Sequence, residues 1–88
     1  MLKRTMRTLY GTKGCPYTKE MRESLLWDGE EFTEYDVEED EEALKQLIAL
    51  TGGRTVPVLV EDDRVVQVGF CGRGCIVKLP SSMEDTSL

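Results

Sequence analysis

The chain has 88 residues, of which 40% are hydrophobic and 32% are charged, and it carries a formal net charge of -6 at pH 7. This length allows one domain with one modest core and excludes two domains. The hydrophobic share favours a folded protein over a disordered one. The acidic balance disfavours a nucleic-acid partner, because contact with phosphates needs a basic face.

The first half of the chain is predicted to contain two strands separated by a helix. Residues 5 to 10 are rich in Thr, Met, Leu and Tyr and are predicted to form the first strand. Pro16 suits the first position of a helix, and apolar side chains recur every fourth position after it, so a helix is predicted over about 16 to 27. The β-branched and aromatic residues of "EFTEYDV", residues 31 to 37, favour a second strand.

The second half is predicted to contain another helix and a hairpin. Asp40 is a good N-cap for an apolar stripe at helical spacing, and Gly52 ends that helix. Two β-branched runs, 55 to 60 and 64 to 68, are joined by acidic turn residues and predict a hairpin. A short last helix is expected over residues 71 to 79.

The predicted order of elements is βαβαββα, which makes the chain an α/β protein. Two strands joined through a helix are expected to be parallel, whereas the hairpin is antiparallel, so the sheet is expected to be mixed and four-stranded with helices on both faces. We expect residues 1 to 79 to form the domain. The Ser, Asp and Thr content of residues 80 to 88 is typical of a flexible tail.

Three cysteines and the absence of histidine restrict the possible chemistry. The cysteines are Cys15, Cys71 and Cys75, an odd number and too few for a disulfide scaffold. A reduced intracellular chain with reactive thiols is therefore expected. The beginning of the chain lacks the apolar run of a signal peptide, and nothing reaches membrane-spanning length, so we expect a cytoplasmic protein with no membrane partner. Zinc is disfavoured because the cysteines lack paired ligand spacing.

Cys15 directly precedes the first predicted helix, where unpaired N–H groups and the helix dipole stabilise a thiolate. The nearby cations Lys13, Lys19 and Arg22 would add to this effect. Such positions lower a thiol pKa from ~8.5 to about 3.5 to 7.5, which makes the sulfur a nucleophile at neutral pH. The sequence therefore favours thiol–disulfide exchange at Cys15 over a cysteine that only caps a helix.

Thr18 stands where a second cysteine would complete a redox motif. Its hydroxyl can donate a hydrogen bond to the Cys15 thiolate, but it cannot attack a mixed disulfide. A second thiol must come from a small cofactor thiol or from another part of the chain. One hypothesis is that Cys71 attacks the mixed disulfide; a small buried hydrophobe is an equally good interpretation of Cys71 and the better one for Cys75.

Two motifs carry a resemblance to a known family. "CPYT", residues 15 to 18, resembles the Cys-Pro-Tyr-Cys active site of glutaredoxins, and "GGRTVPVLV", residues 52 to 60, resembles their segment with a cis proline. The two lie about forty residues apart, as in that family. The chain thus resembles a glutaredoxin of the thioredoxin fold over roughly residues 4 to 75. It is similar to the bacterial Uxx-star group, in which some members have selenocysteine at the position of Cys15.

The resemblance implies a binding cleft beside Cys15. A cis Pro57 would place the backbone of the residues before it where it pairs with the backbone of glutathione or of a substrate. The cations of the cleft would meet the carboxylates of glutathione. The residues implied in the cleft are Lys13, Tyr17, Arg54, Thr55 and Val56.

The segment "VGFCGRGC", residues 68 to 75, departs from the family. Glutaredoxins commonly carry an acidic pair here that binds the ammonium end of glutathione, whereas this chain has Gly72 and Arg73. Arg73 is expected to favour a more anionic ligand, and Cys71 is expected near the cleft.

These inferences predict a monomeric thiol–disulfide oxidoreductase that uses Cys15 by a monothiol, mixed-disulfide route, with Thr18 and Pro57 completing the catalytic site. Glutathione or a related small thiol is the expected co-substrate, and a disulfide or glutathionylated protein the expected partner. No metal is expected. Two alternatives are a non-catalytic iron–sulfur carrier, against which Pro16 argues, and a thiol peroxidase.

Overall fold

A computed structural model describes residues 6–70 and 72–77 of the chain. The predicted tail at 80–88 lies outside these residues. The elements in chain order are β1 (Arg7–Gly11), α1 (Pro16–Trp27), β2 (Thr33–Asp36), α2 (Glu41–Thr51), β3 (Thr55–Val56), β4 (Val58–Glu61), β5 (Arg64–Val68) and β6 (Cys75–Ile76).

The main sheet is four-stranded and mixed, in the order β2-β1-β4-β5. Strand β1 pairs in parallel with β2 and antiparallel with β4, and Leu9 is the register partner of Leu59. The β4–β5 hairpin turns at Asp62 and Asp63, whose φ angles of 50° and 67° suit a tight turn between twisted strands. The sheet predicted from the sequence is confirmed.

The two helices cover opposite faces of this sheet. Side chains alternate between the faces of a strand, so Leu9 and Tyr10 of β1 point to different sides. Helix α1 packs Met21 and Leu25 against the Leu9 side, which Leu59 also lines. Helix α2 lies on the Tyr10 side, where its buried residues Ala43, Leu44 and Leu47 meet Val58 and Val60.

The ends of both helices follow the sequence signals. Pro16 is the first residue of α1, and Cys15 is its N-cap in an extended conformation. The Asp40 side chain accepts a hydrogen bond of 3.2 Å from the Ala43 N–H at the start of α2. Gly52 ends α2 with a left-handed φ of 75°, and its N–H bonds to the Ile48 carbonyl at 2.7 Å.

The end of the described chain differs from the prediction. The expected strand 55–60 is divided by Pro57 into β3 and β4, and the helix expected over 71–79 is absent from residues 72–77, where β6 forms and pairs antiparallel with β3. Cys71 and residues 78–79 lie outside the described residues.

Glycine conformation accounts for the missing helix. Gly69 and Gly72 have φ angles of 79° and 77°, which a right-handed helix does not allow. Phe70 and Arg73 exchange backbone hydrogen bonds of 2.7 and 3.0 Å across the turn, which sends the chain back along β3. Within the part of the chain that the structure describes, no helix has the length and apolarity needed to cross a membrane.

Candidate active site

Cys15 lies at the junction of the sheet and α1, where the chain leaves β1. Its backbone N–H reaches the Thr12 carbonyl at 3.4 Å, and its own carbonyl accepts from the Lys19 N–H at 3.3 Å as α1 begins. The residue is a free thiol, yet only 2% of its surface is exposed. It belongs to the same buried cluster as Val56 and Val77. The site is therefore a covered thiol rather than an open one.

The surroundings of Cys15 favour its thiolate. Burial is the largest influence and raises the pKa of the Cys15 thiol, but hydrogen bonds outweigh it, and the net pKa is lowered. The partners are the Cys75 side chain, the Thr18 hydroxyl and the backbone N–H groups of Thr18 and Tyr17 in the first turn of α1. Donors aimed at a sulfur stabilise its anion, as the position at a helix N-terminus predicts.

Thr18 is buried between the backbone before α1 and the Cys15 sulfur. Its oxygen accepts a hydrogen bond of 3.4 Å from the Thr12 N–H. A Cβ on Gly11 would stand only 2.2 Å from the methyl carbon of Thr18, so the glycine leaves the space that this side chain fills. The predicted contact between the Thr18 hydroxyl and Cys15 is present in the structure.

The peptide bond between Val56 and Pro57 is cis, as the family resemblance implied. It lies directly beside the thiol, since the Cys15 sulfur stands 3.9 Å from the Val56 carbonyl oxygen. The N-cap residue of α1 therefore lies against the end of β3, and the two residues in contact, Cys15 and Val56, are 41 positions apart in the sequence.

The backbone of β3 is already paired within the chain. Val56 is the register partner of Cys75, and Thr55 is the partner of Ile76. One residue further along, the Val77 N–H donates to the Arg54 carbonyl at 2.9 Å. The edge expected to receive a substrate backbone thus holds the chain's own β6.

Arg54 fastens β6 rather than facing an open cleft. Its guanidinium donates a hydrogen bond of 3.0 Å to the carbonyl of Val77, and its own carbonyl accepts from the N–H of the same residue. Val77 is buried in the core cluster that contains Cys15. The predicted role of Arg54 in binding carboxylates stays a prediction, and in this structure the side chain has a backbone partner.

Cys75 brings a second thiol to the first. It is a half-buried free thiol that packs against the buried cluster of Cys15. Its side chain donates a hydrogen bond to Cys15, and this bond, followed by burial and by repulsion from Cys15 and Glu38, raises the pKa of Cys75 to about 11. This contact favours the anion at Cys15 and the protonated thiol at Cys75.

Two of the three cations predicted to activate Cys15 form ion pairs with carboxylates from other parts of the chain. Lys13 is exposed, and it forms an ion pair of 3.1 Å with Glu39, a contact that raises the pKa of Lys13. Arg22 forms a two-pronged pair with Glu34, with nitrogen–oxygen distances from 2.6 to 3.0 Å. The pKa of Cys15 is therefore lowered by hydrogen bonds and not by the cations that the sequence suggested.

A shallow cleft lies between the first turns of α1 and the turn that precedes β6. It is lined by Tyr17, Glu20, Phe70 and Arg73, so it unites two of the predicted binding residues with two that sequence reasoning did not select. Cys71, the hypothetical second thiol, lies outside the described residues. Among residues 6–70 and 72–77, no group of three or more His, Cys, Asp or Glu side chains is arranged to hold a metal ion.

Sequence reasoning treated Cys75 as packing, whereas the structure places its thiol against Cys15. This placement depends on Gly74, the residue before it. A Cβ there would stand 2.5 Å from the Val56 carbonyl oxygen, so only glycine allows β6 to approach β3 this closely.

The main sheet is mixed and four-stranded, with helices on both faces, which is the thioredoxin fold. Its thiol site consists of a cysteine at a helix N-terminus beside a cis proline. The family model named Glutaredoxin matches residues 8–66, which is more than half of the chain. The chain therefore belongs to the glutaredoxin family, and this family and fold support a function of the thiol–disulfide oxidoreductase type.

Solved structures agree with this placement. The chain is similar to the crystal structure of a glutaredoxin from Archaeoglobus fulgidus, with 27% identity and a TM-score of 0.65, over 75% of this chain and 76% of that one. It also shares the fold of glutaredoxin 1 from Francisella tularensis, solved with cacodylate, with 21% identity and a TM-score of 0.53, over 76% of this chain and 85% of the other. A search of the curated proteins found no match.

Proposed function

We propose that the protein reduces disulfides through a mixed disulfide on Cys15. The observation that carries this proposal is the position of the Cys15 thiol at the N-terminus of α1, 3.9 Å from the Val56 carbonyl oxygen beside the cis proline. Hydrogen bonds at this position lower the pKa of the thiol. A thiolate is the attacking species in thiol–disulfide exchange. Thr18 supplies a hydrogen bond and no second thiol, so α1 itself supports only a monothiol step.

The step follows from the geometry of the site. The Cys15 thiolate attacks one sulfur of a substrate disulfide, a bond forms between the two sulfurs, and the other half leaves as a thiolate that takes up a proton. The N–H groups of Tyr17 and Thr18 and the Thr18 hydroxyl stabilise the sulfur anion before attack and again when it becomes the leaving group.

The co-substrate and partners are part of the proposal. Glutathione or a related small thiol is the proposed reductant, and a disulfide or glutathionylated protein the proposed substrate. Tyr17, Glu20 and Arg73 line the cleft between α1 and the turn before β6. The arginine suits a carboxylate group of such a ligand, and the glutamate suits its ammonium group. We further propose that the protein acts as a monomer in the cytoplasm.

Replacing the nucleophile tests this function. Cys15→Ser is expected to abolish reduction of a glutathionylated peptide, because a serine hydroxyl is not ionised at neutral pH and cannot form a disulfide. Glutathione is added as the reductant, and the glutathione disulfide that it forms is measured over time with glutathione reductase, beside the wild-type chain. Circular dichroism checks that the variant is folded. Turnover retained in a folded Cys15→Ser variant would contradict the proposal.

A further inference from the structure

We propose that Cys75 is the resolving thiol of this protein: carried on β6, it attacks the mixed disulfide on Cys15 and closes an intramolecular Cys15–Cys75 disulfide. This inference deepens the proposed function and rests on it. The second thiol, which α1 lacks, would then come from β6, the strand that pairs with β3 beside Cys15.

The first observation is the register of β6. Cys75 is paired with Val56, and the Val56 carbonyl oxygen is 3.9 Å from the Cys15 sulfur. The two thiols therefore meet around one backbone group, where they form a hydrogen bond to each other. A disulfide between them requires about 2.05 Å between the two sulfurs.

The second observation is that β6 is built to stay at this edge. Arg54 and Val77 exchange hydrogen bonds of 2.9 and 3.0 Å beyond the strand, and Val77 is buried in the core. On the other side, Gly74 leaves no room for a Cβ between itself and the Val56 carbonyl. Because β6 is held in one position, the Cys75 thiol is oriented towards the Cys15 sulfur, which favours reaction with Cys15 over reaction with a sulfur in solution.

The third observation is the order in which the two thiols ionise. The pKa of Cys75 is raised to about 11 chiefly because its S–H donates to Cys15, with burial and repulsion from Cys15 and Glu38 as further causes. When Cys15 enters a mixed disulfide it loses its negative charge, and two of these causes disappear together. Cys75 therefore becomes a stronger acid only after the first step, when a second nucleophile is needed.

The complete sequence of bonds balances. The Cys15 thiolate attacks the substrate disulfide and releases its first half as a thiolate. The Cys75 thiolate then attacks the Cys15 sulfur, the second half of the substrate leaves as a thiolate, and the proton lost by Cys75 reaches that leaving group. The protein gives up two electrons as Cys15–Cys75, and a small thiol in excess returns them by exchange.

Trypsin makes the test direct, because it cleaves this chain into separate peptides for each cysteine: 14–19 for Cys15, 65–73 for Cys71 and 74–78 for Cys75. The reduced full chain is treated with bis(2-hydroxyethyl) disulfide, quenched with iodoacetamide at successive times, digested and analysed by mass spectrometry. The expected product is peptide 14–19 linked to peptide 74–78. In Cys75→Ser, and in Cys75→Ala as a second variant, this pair is lost and the hydroxyethyl mixed disulfide on Cys15 accumulates.

Each other outcome has a defined meaning. A wild-type chain that keeps the mixed disulfide on Cys15 overturns the resolving role but leaves the proposed function standing. A link between peptides 14–19 and 65–73 that is lost in Cys71→Ser gives the role to Cys71 and overturns this inference. A Cys15 that never reacts with the probe overturns the proposed function, and the resolving role with it.

Discussion

At the scale of single residues, the Thr18 hydroxyl joins two parts of the site. It accepts from the Thr12 N–H at 3.4 Å, it helps to lower the pKa of Cys15, and no part of its surface is exposed. A cysteine at this position would offer a second sulfur at the cost of the stronger hydroxyl hydrogen bonds. Threonine at this position therefore stabilises the Cys15 anion, whereas a cysteine there would supply a second thiol for exchange within α1.

Removing this hydroxyl tests its role. Thr18→Val keeps the shape of the side chain but leaves the buried Thr12 N–H without its acceptor, which is expected to lower the free energy of unfolding by about 1–3 kcal/mol. The pKa of Cys15 is expected to rise, since a donor to the thiolate is lost. The rate of Cys15 alkylation in the folded protein is measured against pH, with peptide 14–19 as the readout after digestion. Urea unfolding measures the change in stability.

Thr18→Ser is the matched control, because it retains the oxygen. It is expected to keep the wild-type dependence of alkylation on pH. An unchanged pH profile in Thr18→Val would show that the hydroxyl does not stabilise the Cys15 anion.

The coupling of the two thiols gives a second prediction at this scale. In Cys15→Ser the pKa of Cys75 is expected to fall from about 11, because the sulfur anion that accepts its S–H and repels its charge is gone. Alkylation of peptide 74–78 should then begin at lower pH than in the wild-type chain, while alkylation of peptide 65–73 serves as the internal reference. Identical profiles for Cys75 in the two proteins would contradict the coupling.

At the scale of elements, β6 is a short strand held at a crowded point. An added Cβ on Gly74 would meet the Val56 carbonyl oxygen at 2.5 Å and the Thr55 methyl group at 3.0 Å. A backbone oxygen cannot move aside cheaply, and overpacking of this kind costs about 1–3 kcal/mol. The pairing of β6 with β3 is therefore sensitive to a single methyl group.

Gly74→Ala is expected to separate β6 from β3. Since about 1.4 kcal/mol corresponds to a tenfold change in an equilibrium, we expect Cys15 to be alkylated about tenfold faster at a fixed pH and the Cys15–Cys75 link to form more slowly. Gly53→Ala is the matched control, because a Cβ there meets nothing within 4 Å. Equal rates in the two variants would mean that β6 does not cover Cys15.

Local sequence signals predicted both helices and the strands of the main sheet, but they did not predict the pairing of β6 with β3. Pro16, Asp40 and Gly52 each act through their own backbone or the next turn, so their effects can be predicted from neighbours in sequence. Strand β6 depends on a partner about twenty residues away, and two glycines with positive φ redirect the chain before it. No local pattern states which edge such a segment will join.

At the scale of the whole molecule, the uneven distribution of charge along the chain is evened out by folding. Ten of the seventeen carboxylates lie between residues 28 and 42, whereas residues 1 to 22 carry six basic side chains and only one carboxylate. The structure pairs these two segments through Arg7 with Glu30, Lys13 with Glu39 and Arg22 with Glu34. The basic surroundings that the sequence indicated for Cys15 are thereby neutralised, because the pairing partners come from distant elements.

The candidate site divides in the same way. The contact of Thr18 with Cys15 and the cis Pro57 followed from two short motifs, since each motif is complete within a few residues. The position of Cys75 did not, because it depends on the tertiary pairing of β3 with β6. The sequence motifs therefore predicted the nucleophile, Cys15, whereas only the fold showed that Cys75 lies next to it.

The tether of β6 has a consequence for competition at the catalytic edge. Only six residues separate the end of β5 from Cys75, so the strand never diffuses away from β3. For a short tether the effective concentration is on the order of millimolar or higher. We therefore expect a free thiol or an extended peptide to displace β6 only when its concentration, relative to its dissociation constant, exceeds that level.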